Sequence, residues 1–349
     1  MFRDTVKEAF GDMKFDVIIG NPPYQENVEG STLSLGIYHK FIDKAIELKP
    51  RYMSMIVPSR WMSMKPAGIE NDWLNKFRND KHIRIMHDFE DASKCFQNVS
   101  IAGGVCYFLY DSENTGDCDR YYYTGDKVIE YDGKLCCEEG VIIRDTRCLP
   151  IIDKVRAVDG DKYTSNSFQK MVGPVHLFCV DRGSNAVMGT NWRGYSKDKD
   201  KVNYIKHYVN ERNHGVKFGW VNELDIPRKM ELVPLHKVYI SLTGRNDSNV
   251  LNEPFYGEPN STCSDSFTAI LGNTNTKEEC ENIISYIKTK FFRYMVSVKK
   301  KTQHATQEVY TFVPMQDFSK SWTDAELYAK YKLTQEEIDF IESMIKPME

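Results

Sequence analysis

Ten consecutive residues, Phe15-Asp16-Val17-Ile18-Ile19-Gly20-Asn21-Pro22-Pro23-Tyr24, combine side chains that could do chemistry with the means of placing them. Asn21 offers a carbonyl oxygen as a hydrogen-bond acceptor, and the backbone carbonyl of Pro22 offers another. The adjacent prolines Pro22 and Pro23 fix φ and donate no backbone hydrogen bond, so these acceptors are held with little freedom. Tyr24 adds a flat ring for stacking. Two acceptors beside a stacking face suit an exocyclic amine on an aromatic ring. The tetrapeptide alone also fits an ordinary tight turn. The apolar run before it and the tyrosine after it favour a site.

Such a turn needs a rigid base. Phe15 to Ile19 reads as a buried parallel strand ending at Gly20, which puts the turn at the carboxyl end, where α/β sheets hold their ligands. Ile37 to Leu48 has helical spacing of apolar residues. Tyr52 to Val57 reads as a second buried strand stopped by Pro58, and Asp72 to Arg78 as a helix with Trp73, Leu74 and Phe77 on one side. Ile83 to Met86 and Ile101 to Tyr110 read as two further strands, with Gly103-Gly104 inside the last. Strands alternating with helices predict a parallel α/β sheet. Beyond Tyr110, the segments 121–123 and 128–131 suggest a hairpin, and Arg144 to Asp153 a crossing into a second region. The stretch 151–275 reads as mixed and rich in strands and loops. Thr276 and Thr334 each precede a glutamate three residues on, a helix-start pattern. Apolar positions from 280 to 298 follow the first of them.

With these residues in view, the chain resembles the gamma-class N6-adenine DNA methyltransferases of type II restriction–modification systems, with a TaqI-type specificity domain. Asn21-Pro22-Pro23-Tyr24 matches their catalytic motif. The 37–45 segment matches the following helix, and its Phe41 is implied to lie near the cofactor's adenine. The 55–61 segment matches the next strand and its exit, and 95–99 the segment whose aromatic, here Phe96, faces an extruded adenine. Segments 289–293, 301–303, 310–314 and 322–324 look like the closing part of the specificity domain.

The resemblance implies a partial Rossmann-like methyltransferase sheet, its second half, over 1–148, followed by a mixed α+β target-recognition domain over 149–349. It implies S-adenosyl-L-methionine as methyl donor, double-stranded DNA as partner, and base flipping, because N6 cannot reach a donor inside the stack. Asn21 and the Pro22 carbonyl would hold N6 while Tyr24 and Phe96 sandwich the base, worth about 1–3 kcal/mol per stacked base. One family feature is absent. The glycine turn and acidic strand that hold the cofactor should precede the catalytic turn, and 14 residues precede Phe15. The chain is expected to be a piece of a longer reading frame, a split-enzyme subunit whose partner supplies the cofactor half, or an inactive DNA-recognition remnant. Cofactor binding by the chain alone is expected to be weak or absent. A protein-glutamine methyltransferase uses the same tetrapeptide, but the long region after the last strand argues for DNA.

Charge bears on where DNA would sit. The chain of 349 residues carries a net −4, so any polyanion site must be local. Residues 281–304 hold six Lys/Arg against Glu281, and 305–349 hold four against nine acidic residues. Lys290, Arg293, Lys299, Lys300 and Lys301 are therefore candidate phosphate contacts, although a lysine run also suits a solvated helix end. The stretch 193–229 adds nine basic residues against five acidic ones, interleaved with Trp220 and Tyr204. The longest apolar-looking run, Val99 to Tyr110, falls short of the ~20 residues a bilayer needs. Met1-Phe2-Arg3-Asp4 meets charge at once, so no secretory leader is expected. Nine cysteines without Cys-x-x-Cys and eight histidines without His-Glu-x-x-His predict no metal and reduced thiols in a cytoplasm. No nuclease motif is found.

Overall fold

Apolar alternation in the first part of the chain builds a six-stranded sheet. The computed structural model describes residues 5, 6, 8, 9, 11, 14–27, 34–160, 162–180, 186–244, 250–274 and 276–348. Residues 1–4, on which the leader expectation rests, lie outside them. The chain divides into two units, Met1–Cys148 and Leu149–Glu349. In the first, β1 (Val17–Gly20) leads through the hairpin β2 (Gln25–Asn27) and β3 (Ser34–Gly36) to helix α1 (Tyr38–Glu47) and β4 (Tyr52–Pro58). Helix α2 (Asn71–Arg78), β5 (Ile83–Phe89), β6 (Val105–Asp111) and the hairpin β7 (Cys118–Thr124) and β8 (Lys127–Gly133) complete it.

The strand order is β1-β4-β6-β5-β7-β8. β1 runs parallel to β4 and β5 parallel to β7, but β6 is antiparallel to both its neighbours. The sheet is thus mixed, where alternation predicts a parallel one. The reason lies in residues 90–104, which carry a 3-10 turn at Ala92–Lys94 and no α-helix. A parallel return needs a crossover, usually helical. Here β6 starts at Val105, opposite Phe89 where β5 stops.

Both labelled helices pack on one face. Tyr38, Ile42 and Ala45 of α1 and Leu74 and Phe77 of α2 bury against Met53, Met55, Val57, Met86 and Phe108. The opposite face stays half-buried and aromatic. His87 stacks between Tyr107 and Tyr121 with ring centroids 4.6 Å away on each side, and Phe89 stacks on Tyr123 at 4.1 Å. β1 is a sheet edge, not the buried strand expected: Val17 and Ile19 are 53% and 80% exposed. Among the described residues only β4 pairs with it, so its apolar side chains lack cover.

Two buried arginines fix the turns at the ends of strands. The Arg78 guanidinium donates to the carbonyls of Trp61, Met64 and Gly140, at 2.7, 2.7 and 3.0 Å. Arg144, nearly inaccessible to solvent, clasps Asp88 with Nε at 2.5 Å and Nη2 at 2.7 Å. Burial alone would lower the pKa of the Arg144 guanidinium, but the charge and hydrogen bonds of Asp88 outweigh it and raise it.

The second unit begins with α3 (Leu149–Asp159) and holds two three-stranded sheets of short strands. β9 (Ile205–Tyr208) lies between β10 (Phe218–Val221) and β13 (Ser261–Cys263); β11 (Lys237–Ser241) lies between β12 (Phe255–Gly257) and β14 (Phe267–Ile270). Helices α4 (Lys277–Lys288), α5 (Lys290–Lys299), α6 (Asp324–Lys330) and α7 (Gln335–Met344) follow. The apolar run 280–298 is two helices, because Thr289 is extended at φ −62° and ψ 149°. Its hydroxyl caps α5, accepting from the Phe292 amide at 3.1 Å. Thr334 and Glu337 close the reciprocal cap that the sequence predicts, whereas the Glu279 carboxylate turns to the Asn273 and Thr274 amides instead. No described helix is long and apolar enough to cross a membrane.

Replacing Arg144 by Met should cost about 3–5 kcal/mol, because Asp88 would stay buried without its countercharge. Urea denaturation of the full chain measures this, and a loss below about 1 kcal/mol would rule out a structural role for the pair.

Candidate active site

The turn after β1 stands at one wall of an open cleft of about 850 Å³, and the same cleft takes Asn21, Pro22, Pro23, Tyr24, Arg60 and Phe96 into its lining. Asn21 and Pro23 are exposed, Pro22 is buried and Tyr24 is half-buried. The far end of the turn is tied down where the Ile37 amide donates to the Tyr24 carbonyl at 3.2 Å, next to the start of α1. The Tyr24 hydroxyl is buried without a hydrogen-bond partner. Burial first, then nearby Cys106 and Cys95, raises its pKa. The phenol therefore stays neutral near pH 7 and offers a ring face rather than a base.

Phe96 reaches the cleft from the connection between β5 and β6. Asp91 starts the 3-10 turn there, accepting from the Ser93 amide at 2.9 Å and its hydroxyl at 2.7 Å. The Phe96 amide then donates to the Ala92 carbonyl at 2.9 Å. The chain continues through residues 99–102, which line the cleft, into Gly103 and Gly104. These glycines are not inside a strand, as the apolar run suggests. They have φ of +90° and +80°, and β6 begins after them. A Cβ on Gly104 would lie 2.0 Å from the Phe89 carbonyl oxygen, so this close turn excludes any side chain.

The buried ion pair supports that turn from below. Arg144 Nη1 donates to the Gly103 carbonyl at 2.6 Å, and the Ser59 amide donates to the Gly104 carbonyl at 3.0 Å. The Ser59 hydroxyl donates to Asp88 Oδ1 at 2.7 Å. One carboxylate thus fixes both the glycine turn and the exit of β4. Arg60 follows at once and lines the cleft, with Nε buried and lacking a hydrogen-bond partner. Sequence reasoning overlooked Arg60. Its place two residues after the Pro58 stop is the signal for it, whereas the adjacent Trp61 lies wholly in the core, 4.9 Å from the Phe77 ring.

The remaining expected site residues fall elsewhere. Phe41 is 42% exposed on α1 and does not line the cleft. The expected phosphate row on α5 is largely interior. Arg293 is fully buried, donating to the Thr289 and Lys288 carbonyls at 3.2 Å each. Lys299 is buried on Thr311 Oγ1 at 3.1 Å, and Lys300 is buried beside it. Lys290 pairs with Glu342, and Lys301 is half-buried. The physical reason is that α5 is apolar almost all round: Phe291, Phe292, Tyr294, Met295, Val296 and Val298 draw the whole helix inside. Exposed cations do occur at Arg193, Lys197, Lys199, Lys201, Arg212 and Lys217. Lys199 Nζ lies 5.1 Å from the Trp220 ring centroid.

Residues 2–96 match the family model described as Eco57I restriction-modification methylase. An "uncharacterized adenine-specific methylase" of Mycoplasma pneumoniae is 41% identical over 121 residues, 33% of this chain and 28% of that protein. The type IIL restriction-modification enzyme MmeI, solved in complex with DNA, superposes with a TM-score of 0.43 and 10% identity, covering 84% of this chain and 45% of that one. The type IIG restriction endonuclease BpuSI gives 0.34 and 11%, covering 91% and 48%. The chain spans less than half the length of each of these proteins.

Gly104→Ala should destabilise the chain by at least about 1–3 kcal/mol, since a strained backbone would add to the carbonyl clash. Thermal unfolding measures the loss, and an unchanged midpoint would show that the turn readily remodels.

Proposed function

We propose that the first unit is the target-base half of an N6-adenine DNA methyltransferase of a restriction–modification system, and the second unit its target-recognition domain. The observation that carries this is the Asn-Pro-Pro-Tyr turn at the carboxyl end of β1 sharing one cleft with Phe96. The match of residues 2–96 to a methylase family and the adenine-specific relative support it. In this reading the Asn21 side chain and the Pro22 carbonyl accept the two N–H bonds of an adenine N6, keeping its lone pair directed outward. Tyr24 and Phe96 hold the extruded ring between them. Arg60, beside them, takes a phosphate of the flipped nucleotide. S-adenosyl-L-methionine, when bound, supplies a methyl group on a good leaving sulfur.

The described residues offer that cofactor one wall only. Phe41 presents an exposed ring, but among the described residues no strand followed by a glycine turn precedes β1 to cradle the methionine part. The bare edge of β1 and the half-buried aromatic face of the sheet support a need for further strands and helices. An upstream region or a second polypeptide supplies them. Double-stranded DNA is contacted by the exposed cations of 193–217 rather than by α5, with the protein residing in the cytoplasm.

Tritiated methyl transfer to unmodified DNA tests the reaction. The chain alone should be inactive and should show no micromolar S-adenosylmethionine binding by calorimetry. Co-expression with a polypeptide carrying the cofactor half should restore transfer, and Asn21→Ala should reduce it by about 10²-fold or more, as for loss of one oriented polar group at a reacting centre. Full transfer by the Asn21→Ala protein would refute the assignment.

DNA binding is separable. Reversing Lys197, Lys199 and Lys201 to Glu should flatten the salt dependence by about 0.9 in log–log slope for each phosphate no longer neutralised, and Arg60→Gln should lose one such step. The same reversal at Lys299, Lys300 and Lys301 should unfold the protein instead. An anisotropy titration at several salt concentrations distinguishes these outcomes, and an unchanged slope in the first variant would exclude that surface.

A further inference from the structure

Sequence spacing gives no reason to expect a metal, yet the second unit brings three different ligand types together. His176 and Cys179 lie in the segment after the 3-10 turn Phe168–Met171, and Asp265 lies in the turn between β13 and β14. The donor atoms of the three side chains are all within 4.8 Å of one another. His176 Nδ1 faces Asp265 Oδ2 directly. The cluster shares no residue with the cleft that holds Asn21.

Several polar atoms here lack what burial normally requires. Asp265 Oδ1 and Ser264 Oγ are both buried without a hydrogen-bond partner, and His176 Nδ1 makes no hydrogen bond of acceptable geometry. Ser264 itself is 1% exposed and Cys179 2%. The unpartnered Asp265 Oδ1, on a side chain of the cluster, calls for a cation or a donor. His176 itself sits in the left-handed region at φ +57°.

The donor set selects the ion. A thiolate, an imidazole and a carboxylate together suit zinc, whereas calcium and magnesium prefer all-oxygen ligands. Three protein ligands leave the fourth position of a tetrahedral zinc to water. We propose that His176, Cys179 and Asp265 form a zinc site that staples the 174–180 segment to the β13–β14 turn. The location suits a staple. The strands it joins are three to four residues long, too short to be rigid alone. The same segment is already docked by the Gly173 amide on the Ala269 carbonyl at 2.8 Å and by Thr268 Oγ1 on the Pro174 carbonyl at 3.2 Å.

The test uses the full chain, stripped with a chelator and titrated with zinc, and with cobalt(II) as an optical probe. One equivalent should bind, cobalt should give a thiolate-to-metal charge-transfer band, and the melting temperature should rise with zinc concentration. Cys179→Ser should abolish the band, and His176→Ala and Asp265→Asn should abolish stoichiometric binding. Native mass spectrometry of the unmutated chain reads the stoichiometry whether or not a variant folds. Absence of a bound equivalent there, or a band that survives in Cys179→Ser and so belongs to another of the cysteines, would overturn the proposal. So would a melting temperature indifferent to zinc, which would leave His176 and Asp265 as a close contact without a metal.

Discussion

The geometry of the cleft depends on one buried ion pair. Asp88 stands at the carboxyl end of β5, and Arg144 reaches it from the far side of the β7–β8 hairpin in sequence. Two charges removed from water gain little net stability unless their remaining hydrogen bonds are satisfied. Here the spare capacity is used up on the cleft itself: Ser59 at the exit of β4 and the carbonyl of Gly103 at the entry to β6. The pair therefore acts as a bracket across three strand ends. It sets where Arg60 and residues 99–102 stand relative to the turn after β1.

That bracket explains why two left-handed glycines interrupt what reads as one apolar strand. Moving from the Phe96 loop into β6 demands a sharp turn in contact with the Phe89 carbonyl, and only a residue without Cβ fits there. The turn also decides the sheet's topology. It lets β6 start beside the end of β5, so that β6 inserts antiparallel between β5 and β4. With α1 and α2 on one face, the aromatic face and the edge of β1 are the less covered surfaces of the sheet among the described residues.

The second unit shows how burial can reverse a reading of charge. A cluster of six basic residues over 281–304 looks like a surface for polyanions. The phenylalanines and valines between them win, because each buried aromatic or branched side chain contributes about 1.5–3 kcal/mol and the basic groups can be satisfied by backbone carbonyls, a hydroxyl and a carboxylate. The lysines of 197–201 sit among polar residues with no such apolar periodicity, and they remain outside.

Residue order alone is enough for what is local. Strand β1 and its rigid Asn-Pro-Pro-Tyr turn, helices α1 and α2, the β7–β8 hairpin and the capped starts at Thr276 and Thr334 all follow from interactions within a few residues, and all are legible in the order of residue types. Phe96 is expected only from the family resemblance, and the fold brings it to the same cleft as Tyr24. Everything else depends on partners far apart in the chain. The direction of β6, the turn at Gly103 and Gly104, the exposure of β1, the burial of Arg293 and Lys299, and the meeting of His176 and Cys179 with Asp265 are not spelled out by spacing. Periodicity reports which side of an element is apolar, but the neighbour that buries or uncovers it is chosen by packing across the fold.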